Sequence, residues 1–225
     1  MRFRNNRYIH ITFYSVYLLV CLLGVLSSFF GWIHNIHNEF YLFFTNQSNI
    51  ISIVCVSLFL IYAIVDIKKG NINKREGRFV TFALCVFIYQ TITMILYNAL
   101  NPDGHIFTKK FWIQLPCPIL HLFAPLLFDF IFIAFTEKEK INKFSFLYVL
   151  IYPLIYSLFV FVRNFILGDV EPFEVSGYIR FPYPIFDYTM FNGFIIFLFM
   201  LGGLVIFMGL TFLLTMLFKK KKGGK

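Results

Sequence analysis

Two sets of polar side chains interrupt otherwise apolar segments of this chain. Thr45, Ser48, Asn49 and Ser52 follow the spacing i, i+3, i+4 and i+7, which places them on one stripe of a helix. His121 lies in another apolar segment. An alcohol beside an imidazole can perform acyl transfer, because the imidazole accepts the alcohol proton and later returns it to the leaving group. Taken alone, the spacing favours a simpler interpretation, hydrogen bonds that hold membrane helices together.

The segment that carries His121 contains two further informative residues. His121 lies about nine residues from the start of this segment at Trp112, a depth of roughly 13 Å in a helix. Pro125 is predicted to kink the helix and to free a backbone carbonyl. Asp129 lies roughly 12 Å deeper and about 80° around the helix, so a direct contact with His121 is not expected. We expect Asp129 to be protonated, paired with a group such as Gln90, or near the inner interface, and it is a candidate proton relay.

The elements that position these groups are predicted to be transmembrane helices. Hydrophobic residues make up 59% of the 225 residues and charged residues only 14%, whereas a soluble domain has about 25% charged residues. Crossing a bilayer takes about 20 apolar residues in a helix. Six runs qualify, which predicts an all-α membrane bundle that forms one domain, 1–225. The predicted helices are about 9–31, 43–65, 79–100, 112–135, 144–166 and 190–218.

The distribution of basic residues predicts how the bundle is oriented. Of the 20 Lys and Arg residues, 16 lie in the N-terminal segment, the second and fourth connectors and the C-terminal segment. Cytoplasmic segments carry the excess of basic residues, so both termini are predicted to be cytoplasmic. The longest connector on the opposite side, Gly168–Tyr188, is rich in aromatic residues and prolines, and we expect it to form an ordered cap. The four basic residues on that side are Lys109, Lys110, Arg163 and Arg180.

Other classes of site are not supported by the sequence. The net charge of +9 comes from short clusters between apolar runs, so nucleic-acid binding is not expected. No phosphate-binding glycine loop or Gly-x-Ser-x-Gly motif occurs, and no cofactor is predicted. His34 and His37 lack a third ligand, so no metal is predicted. The four cysteines are predicted to be small apolar residues in the bundle: Cys21, Cys55, Cys85 and Cys117.

Three motifs together resemble a known family of membrane proteins. They are Phe44-Thr45-Asn46-Gln47-Ser48-Asn49 at the start of the second helix, His121 with Pro125 in the fourth, and Tyr183-Pro184-Ile185-Phe186-Asp187 before the sixth. In order and position they resemble the androgen-induced, FAR-type family of six-helix membrane proteins and its bacterial relatives. Asn46-Gln47-Ser48-Asn49 is similar to the bacterial branch more than to the vertebrate one, which leaves the substrate open.

The resemblance implies an intramembrane threonine hydrolase. Vertebrate members hydrolyse fatty acid esters of hydroxy fatty acids with a threonine and a histidine, which match Thr45 and His121. A lipid ester would then be the substrate and membrane lipids the surroundings, with no protein partner indicated. The chemistry also needs oxyanion donors and groups that orient the histidine. Candidates for these roles are Asn46, Ser48, Asn49, Asn98, Tyr183 and Asp187.

Two other functions remain open from the residues alone. The polar cluster would also suit a transporter or a lipid-binding protein that holds a ligand without cleaving it, and Asp129 below His121 favours this alternative. The polar groups would also suit a scaffold in which they only pack helices. The richness in Phe, Ile, Lys and Asn suggests a bacterial plasma membrane, with the site toward its outer side. An endoplasmic reticulum membrane fits the same topology.

Overall fold

The computed structural model describes residues 6–30, 40–68, 79–100, 116–167, 181–183, 186–188 and 190–220. Within these ranges the regular structure is entirely helical, which confirms the predicted all-α class. The long helices are α1 (Arg7–Phe30), α2 (Phe44–Lys68), α3 (Val80–Leu100), α5 (Ile151–Leu167) and α6 (Gly193–Lys220). The helix α4 begins with Pro116–Pro118, continues as a π-helical turn over Ile119–Phe123, and ends with Ala124–Phe135.

The lengths and compositions of these helices make the chain a membrane-embedded protein. Five described helices are long and apolar enough to cross a bilayer, and α5 qualifies together with the short turn Ser145–Tyr148 that precedes it. A shorter apolar helix, Ile119–Phe135, forms most of α4. Its predicted beginning at Trp112 lies outside the described residues, as do His34 and His37 and most of the connector Gly168–Tyr188.

Helices α1 to α4 form the core of the bundle. Each is in contact with its neighbours in the pairs α1–α2, α2–α3, α3–α4 and α1–α4. Large side chains fill the interior between them because few voids are tolerated in a packed core. The largest buried side chains of this core include Tyr14, Tyr17, Phe59, Phe128 and Phe132.

Helices α5 and α6 pack on the α3 side of the core. The ring of Tyr152 of α5 lies 5.1 Å from that of Tyr89 of α3. In the segment before α5, the Val149 carbonyl accepts from the Tyr89 hydroxyl at 3.0 Å, and Ser145 shares a hydrogen bond of 2.7 Å with Thr215 of α6. Most of the α6 side chains are exposed and apolar. Such a surface suits contact with lipid chains, which solvate apolar side chains as well as a protein core does.

The two ends of α2 are held in different ways. At the end that contains Asp66, Arg7 of α1 forms an ion pair with the Asp66 carboxylate at 3.0 Å. The side chain of Asp66 is almost fully buried, and His10 lies beside Arg7 with 3.3 Å between Nδ1 and Nη1. At the other end, which contains Thr45, α2 is preceded by the short 3₁₀ turn Phe40–Leu42. The Leu42 carbonyl accepts a hydrogen bond of 2.9 Å from Tyr156.

Candidate functional site

The polar stripe of α2 faces the interior of the bundle, as its spacing predicts. Thr45 is 7% exposed, and Ser48, Asn49 and Ser52 are not exposed at all. The Thr45 carbonyl accepts hydrogen bonds from Ser48 Oγ at 3.0 Å and from Asn49 Nδ2 at 2.8 Å. Ser52 donates to the Asn49 carbonyl at 2.6 Å and is also hydrogen-bonded to the Tyr17 hydroxyl of α1. Part of the stripe therefore joins helices, in line with the simpler interpretation.

His121 lies at the centre of the π-helical turn of α4. The Ala124 N–H bonds the Ile119 carbonyl, five residues back, so the turn holds one residue more than an α-turn. Pro125 has no N–H, so the carbonyl of His121 lacks its usual donor four residues later. The Leu120 carbonyl lacks both donors that a helix could supply, the N–H groups four and five residues later. The Ala124 N–H bonds Ile119, and Pro125 has no N–H. The predicted release of a carbonyl by Pro125 thus concerns two adjacent carbonyls, those of Leu120 and His121.

Two asparagines on neighbouring helices satisfy these carbonyls. Asn49 of α2 donates to the Leu120 carbonyl at 3.3 Å, and Asn98 of α3 donates to the His121 carbonyl at 3.2 Å. Each asparagine also donates to the carbonyl four residues earlier in its own helix, Asn49 to Thr45 and Asn98 to Met94. An amide has two N–H donors. Both donors of each asparagine are therefore engaged in holding backbone carbonyls.

The imidazole of His121 is held by groups that the sequence did not indicate. Its Nδ1 lies 2.9 Å from the Cys117 carbonyl, and its ring stacks on Tyr97 with 3.6 Å between centroids. A carbonyl can only accept, so Nδ1 carries the proton and Nε2 is the acceptor of the neutral ring. The Tyr97 hydroxyl is in turn hydrogen-bonded to Cys117 Sγ. This tautomer is the one in which Nε2 can accept a proton from a substrate or a nucleophile.

Gly24 of α1 allows the π-helical turn to approach closely. A Cβ at this position would lie 2.5 Å from Ile119 Cγ2 and 2.7 Å from Leu120 Cδ2. Both distances are below ordinary van der Waals contact. A side chain on α1 at this point would displace the side chains of Ile119 and Leu120, so Gly24 lets α1 pack closely against the turn that carries His121.

The surroundings of Thr45 come from the segment before α6. Tyr183 lies beside Thr45 and Phe44, and its ring faces Phe43 at 6.3 Å. Burial raises the pKa of the Tyr183 phenol, and hydrogen bonding with the Thr45 side chain offsets part of that effect. The phenol is therefore neutral at physiological pH and can donate a hydrogen bond. Asp187 accepts from the Met190 N–H at 3.3 Å.

Asn46 lies beside the stripe and links it to α1. Its Nδ2 donates to the Phe40 carbonyl at 2.9 Å, and its Oδ1 accepts from Ser28 at 3.4 Å. One of its two amide N–H groups is thus used on the Phe40 carbonyl. Asn46 therefore fixes the turn before α2 at the level of Thr45.

The structure brings Thr45 and His121 to the same end of the bundle without joining them directly. Among the described residues, no hydrogen bond connects the two side chains. Asn49 bridges them instead, since it bonds the carbonyl of Thr45 and the carbonyl of Leu120, the residue before His121. Tyr183 and Asp187, which were candidates to orient His121, contact Thr45 and Met190 respectively.

Asp129 lies in a separate layer of the bundle. Its Oδ2 accepts a hydrogen bond of 3.0 Å from Thr91, whereas its Oδ1 is buried without a partner. The partner is thus a residue of the third helix, one of the alternatives left open by the sequence, but it is Thr91 rather than Gln90. Gln90 is fully buried, and both its amide atoms lack a hydrogen-bond partner.

The burial of the cysteines agrees with the sequence for three of the four. Cys21, Cys55 and Cys85 are buried free thiols, as predicted for small apolar residues, while Cys117 is half-buried beside Tyr97. Within the described residues, no group of three or more His, Cys, Asp or Glu side chains is placed to hold a metal ion.

Comparisons with models of known protein families, with curated proteins and with solved structures give no match for this chain. Its function is therefore inferred from its own residues and their geometry.

Proposed function

We propose that this chain is an intramembrane hydrolase of lipid esters, with Thr45 as the nucleophile and His121 as the general base. The orientation of His121 supports this proposal most directly. Its Nδ1 bonds the Cys117 carbonyl, so Nε2 of the half-buried ring is left as the proton acceptor. The asparagine that bonds the adjacent carbonyl also bonds Thr45, so the two helices are held together at the level of the site.

The reaction follows the pattern of covalent acyl transfer. Nε2 of His121 accepts the proton of the Thr45 hydroxyl as Oγ1 attacks the acyl carbon of the ester. The tetrahedral intermediate collapses, and the leaving alkoxide takes the proton from His121. The imidazole then takes a proton from water, which attacks the acyl-threonine; the fatty acid leaves as the Oγ1–acyl bond breaks, and the imidazolium returns the proton to Thr45 Oγ1. Thr45 and His121 draw together when the substrate binds, since catalytic hydrogen bonds often form only in that complex.

The oxyanion of the intermediate needs donors that are not already committed. Both N–H groups of Asn49 are used on carbonyls, and the Ser48 hydroxyl donates to the Thr45 carbonyl. The Tyr183 phenol, neutral and adjacent to Thr45, is the better candidate. Asn46, with one N–H used on Phe40, is the second. A preorganised donor of this kind stabilises an oxyanion by about 3–4 kcal/mol.

The surroundings suit a lipid substrate in the outer half of the membrane. The chain contains 33 phenylalanines, many of them on apolar helices, so an acyl chain entering sideways would meet an apolar wall. The resemblance to the androgen-induced, FAR-type family points to fatty acid esters of hydroxy fatty acids. We place the chain in a bacterial plasma membrane with both termini cytoplasmic and the Thr45 end of α2 toward the outer face.

The test is hydrolysis of a panel of long-chain esters by the purified protein in detergent. Thr45→Ala is expected to lower turnover by about 10³-fold or more, and Thr45→Ser to keep part of it. His121→Ala is expected to lose about 10²–10⁴-fold. Thr12→Ala is the matched control, because Thr12 bonds the Tyr8 carbonyl on an exposed part of α1. Full turnover by Thr45→Ala on an ester that the parent hydrolyses would exclude the proposal.

A second candidate is a binding protein or transporter that uses the same polar groups without cleavage. The polar atoms of Gln90 and Asp129 that lack partners favour it, because the proposed hydrolysis makes no use of them. In that case the protein would bind an intact ester and release no acid. Uptake into vesicles would depend on pH and be lost in Asp129→Asn.

A further inference from the structure

Deeper in the bundle than Thr45 and His121 lies a polar layer in which several buried atoms have no hydrogen-bond partner. Gln90 is fully buried, and neither its Nε2 nor its Oε1 has a hydrogen-bond partner. Asp129 Oδ1 is also buried and has no hydrogen-bond partner. An unpaired buried amide costs several kcal/mol in an apolar medium, and an isolated carboxylate costs more. Such groups in a membrane helix commonly mark an ion or substrate site.

These groups lie in one layer, which four helices share. Thr91 of α3 bonds Asp129 of α4 at 3.0 Å, and Gln90 precedes Thr91 by one helical rise of about 1.5 Å. Tyr17 of α1 contacts both Ser52 of α2 and the ring of Phe128, the residue before Asp129. Tyr17 therefore brings α1 and α2 against α4 at the level of this layer.

This layer is distinct from the proposed hydrolytic site. The contacts of α3 with His121 are made by Tyr97 and Asn98, six and seven residues beyond Thr91, which corresponds to about 9–10 Å along the helix. The ion pair of Arg7 with Asp66 lies farther in the opposite direction, fourteen residues beyond Ser52 on α2. Among the described residues, no Lys, Arg or His side chain contacts Asp129.

The donors of the layer determine which ligand fits it. They are oxygens: a carboxylate, the amide oxygen of Gln90 and the hydroxyl of Thr91. Oxygen-only sets select hard cations. One carboxylate balances a single positive charge, whereas Ca²⁺ takes 6–8 oxygens and Mg²⁺ keeps several waters. We propose that Asp129, Gln90 and Thr91 form a buried sodium site. This proposal does not depend on Thr45 being a nucleophile.

The test measures thermal unfolding of the purified protein in detergent, by circular dichroism, at fixed pH and ionic strength. Sodium is varied from about 1 to 100 mM against choline, with potassium as the comparison. Ligand that binds only the folded state raises its Tm, and we expect a saturable rise of about 3 °C or more with sodium. We expect Asp129→Asn and Gln90→Leu to abolish this rise. A parent with no sodium-specific rise would overturn the proposal, and so would a rise kept by Asp129→Asn.

The control is Thr211→Val. Thr211 is also a buried threonine, but it lies on α6 and donates to the Phe207 carbonyl of its own helix at 2.7 Å. Its variant should keep the sodium response, and a loss equal to that of Gln90→Leu would contradict the site. If the Asp129 or Gln90 variants do not fold, binding of radioactive sodium to the parent protein tests the site instead. Competition by excess unlabelled sodium but not by potassium would support the site, and no saturable binding would overturn it.

Discussion

Both ends of α2 bury polar groups inside the membrane bundle, but these groups are satisfied in different ways. At the Asp66 end, a carboxylate is buried against Arg7 of α1, and regular helix surrounds the pair. At the Thr45 end, the buried groups are neutral, and the facing helix is irregular at the π-helical turn of Ile119–Phe123. There the carbonyls of the turn are held by the side chains of Asn49 and Asn98 rather than by their own helix.

If the proposed function holds, the difference separates polar groups that serve the fold from those that serve the reaction. A buried ion pair with regular backbone fixes the mutual position of two helices, and its removal should damage the fold. A π-helical turn stabilised from outside costs a helix its own hydrogen bonds, and such turns occur frequently at functional sites. Changes at the Asp66 end should therefore lower stability, while changes at the Thr45 end should lower activity more than stability.

The largest effect is expected at the Asp66 end. Asp66→Ala leaves Arg7 buried beside an apolar neighbour, so the free energy of unfolding should fall by about 3–5 kcal/mol. Replacing both partners, Arg7→Met with Asp66→Leu, should recover most of this loss because no charge is left behind. Denaturation in detergent measures both. Loss of esterase turnover in a double variant of normal stability would show that the two ends are not separate.

The next effect concerns the support of the turn from α1. Gly24→Ala places a Cβ against Ile119 and Leu120, and overpacking of this kind costs about 1–3 kcal/mol. Because the strain falls on the turn that carries His121, turnover should fall more than stability does. Gly202→Ala is the matched control, since nothing lies within 4 Å of that position. Equal turnover and equal stability of the Gly24→Ala and Gly202→Ala variants would contradict the role of Gly24.

A smaller effect is expected from the asparagines that hold the turn. Asn49→Leu and Asn98→Leu each leave one carbonyl of α4 without its donor, at a cost of about 1–2 kcal/mol. Asn49→Leu should reduce turnover more, because Asn49 also bonds Thr45. Thermal melts and turnover measured on the same preparations decide this. A variant with unchanged turnover would show that the turn does not need its external donor.

The smallest effect is a pH dependence from Tyr183. Burial raises the pKa of its phenol above the ordinary value of 10.0, so the folded state holds this proton more tightly than the unfolded state does. The associated stability is fully present below pH 10 and falls as the pH rises above it. Tyr183→Phe should remove this part of the alkaline decline in Tm. An identical decline in the parent and the variant would contradict the buried phenol.

The helices and the burial of the polar stripe follow from the sequence, because apolar length and helical spacing determine both. The release of a carbonyl by Pro125 also follows, since proline lacks an N–H wherever it stands. The partners of the Leu120 and His121 carbonyls could not be predicted from the sequence, because they depend on how α2 and α3 are aligned against α4. The same holds for Gly24, whose isolated position in an apolar run gives no signal, and for the stacking of Tyr97 on His121.

Labelling with a fluorescent fluorophosphonate tests the hydrolase most directly, since such probes trap an activated alcohol without knowledge of the substrate. The purified parent is compared with Thr45→Ala, His121→Ala and the Thr12→Ala control, with thermal melts alongside. We predict labelling of the parent and the control, and its loss in both site variants at similar Tm. A well-folded parent that is not labelled, or labelling that persists in Thr45→Ala, would contradict an activated Thr45.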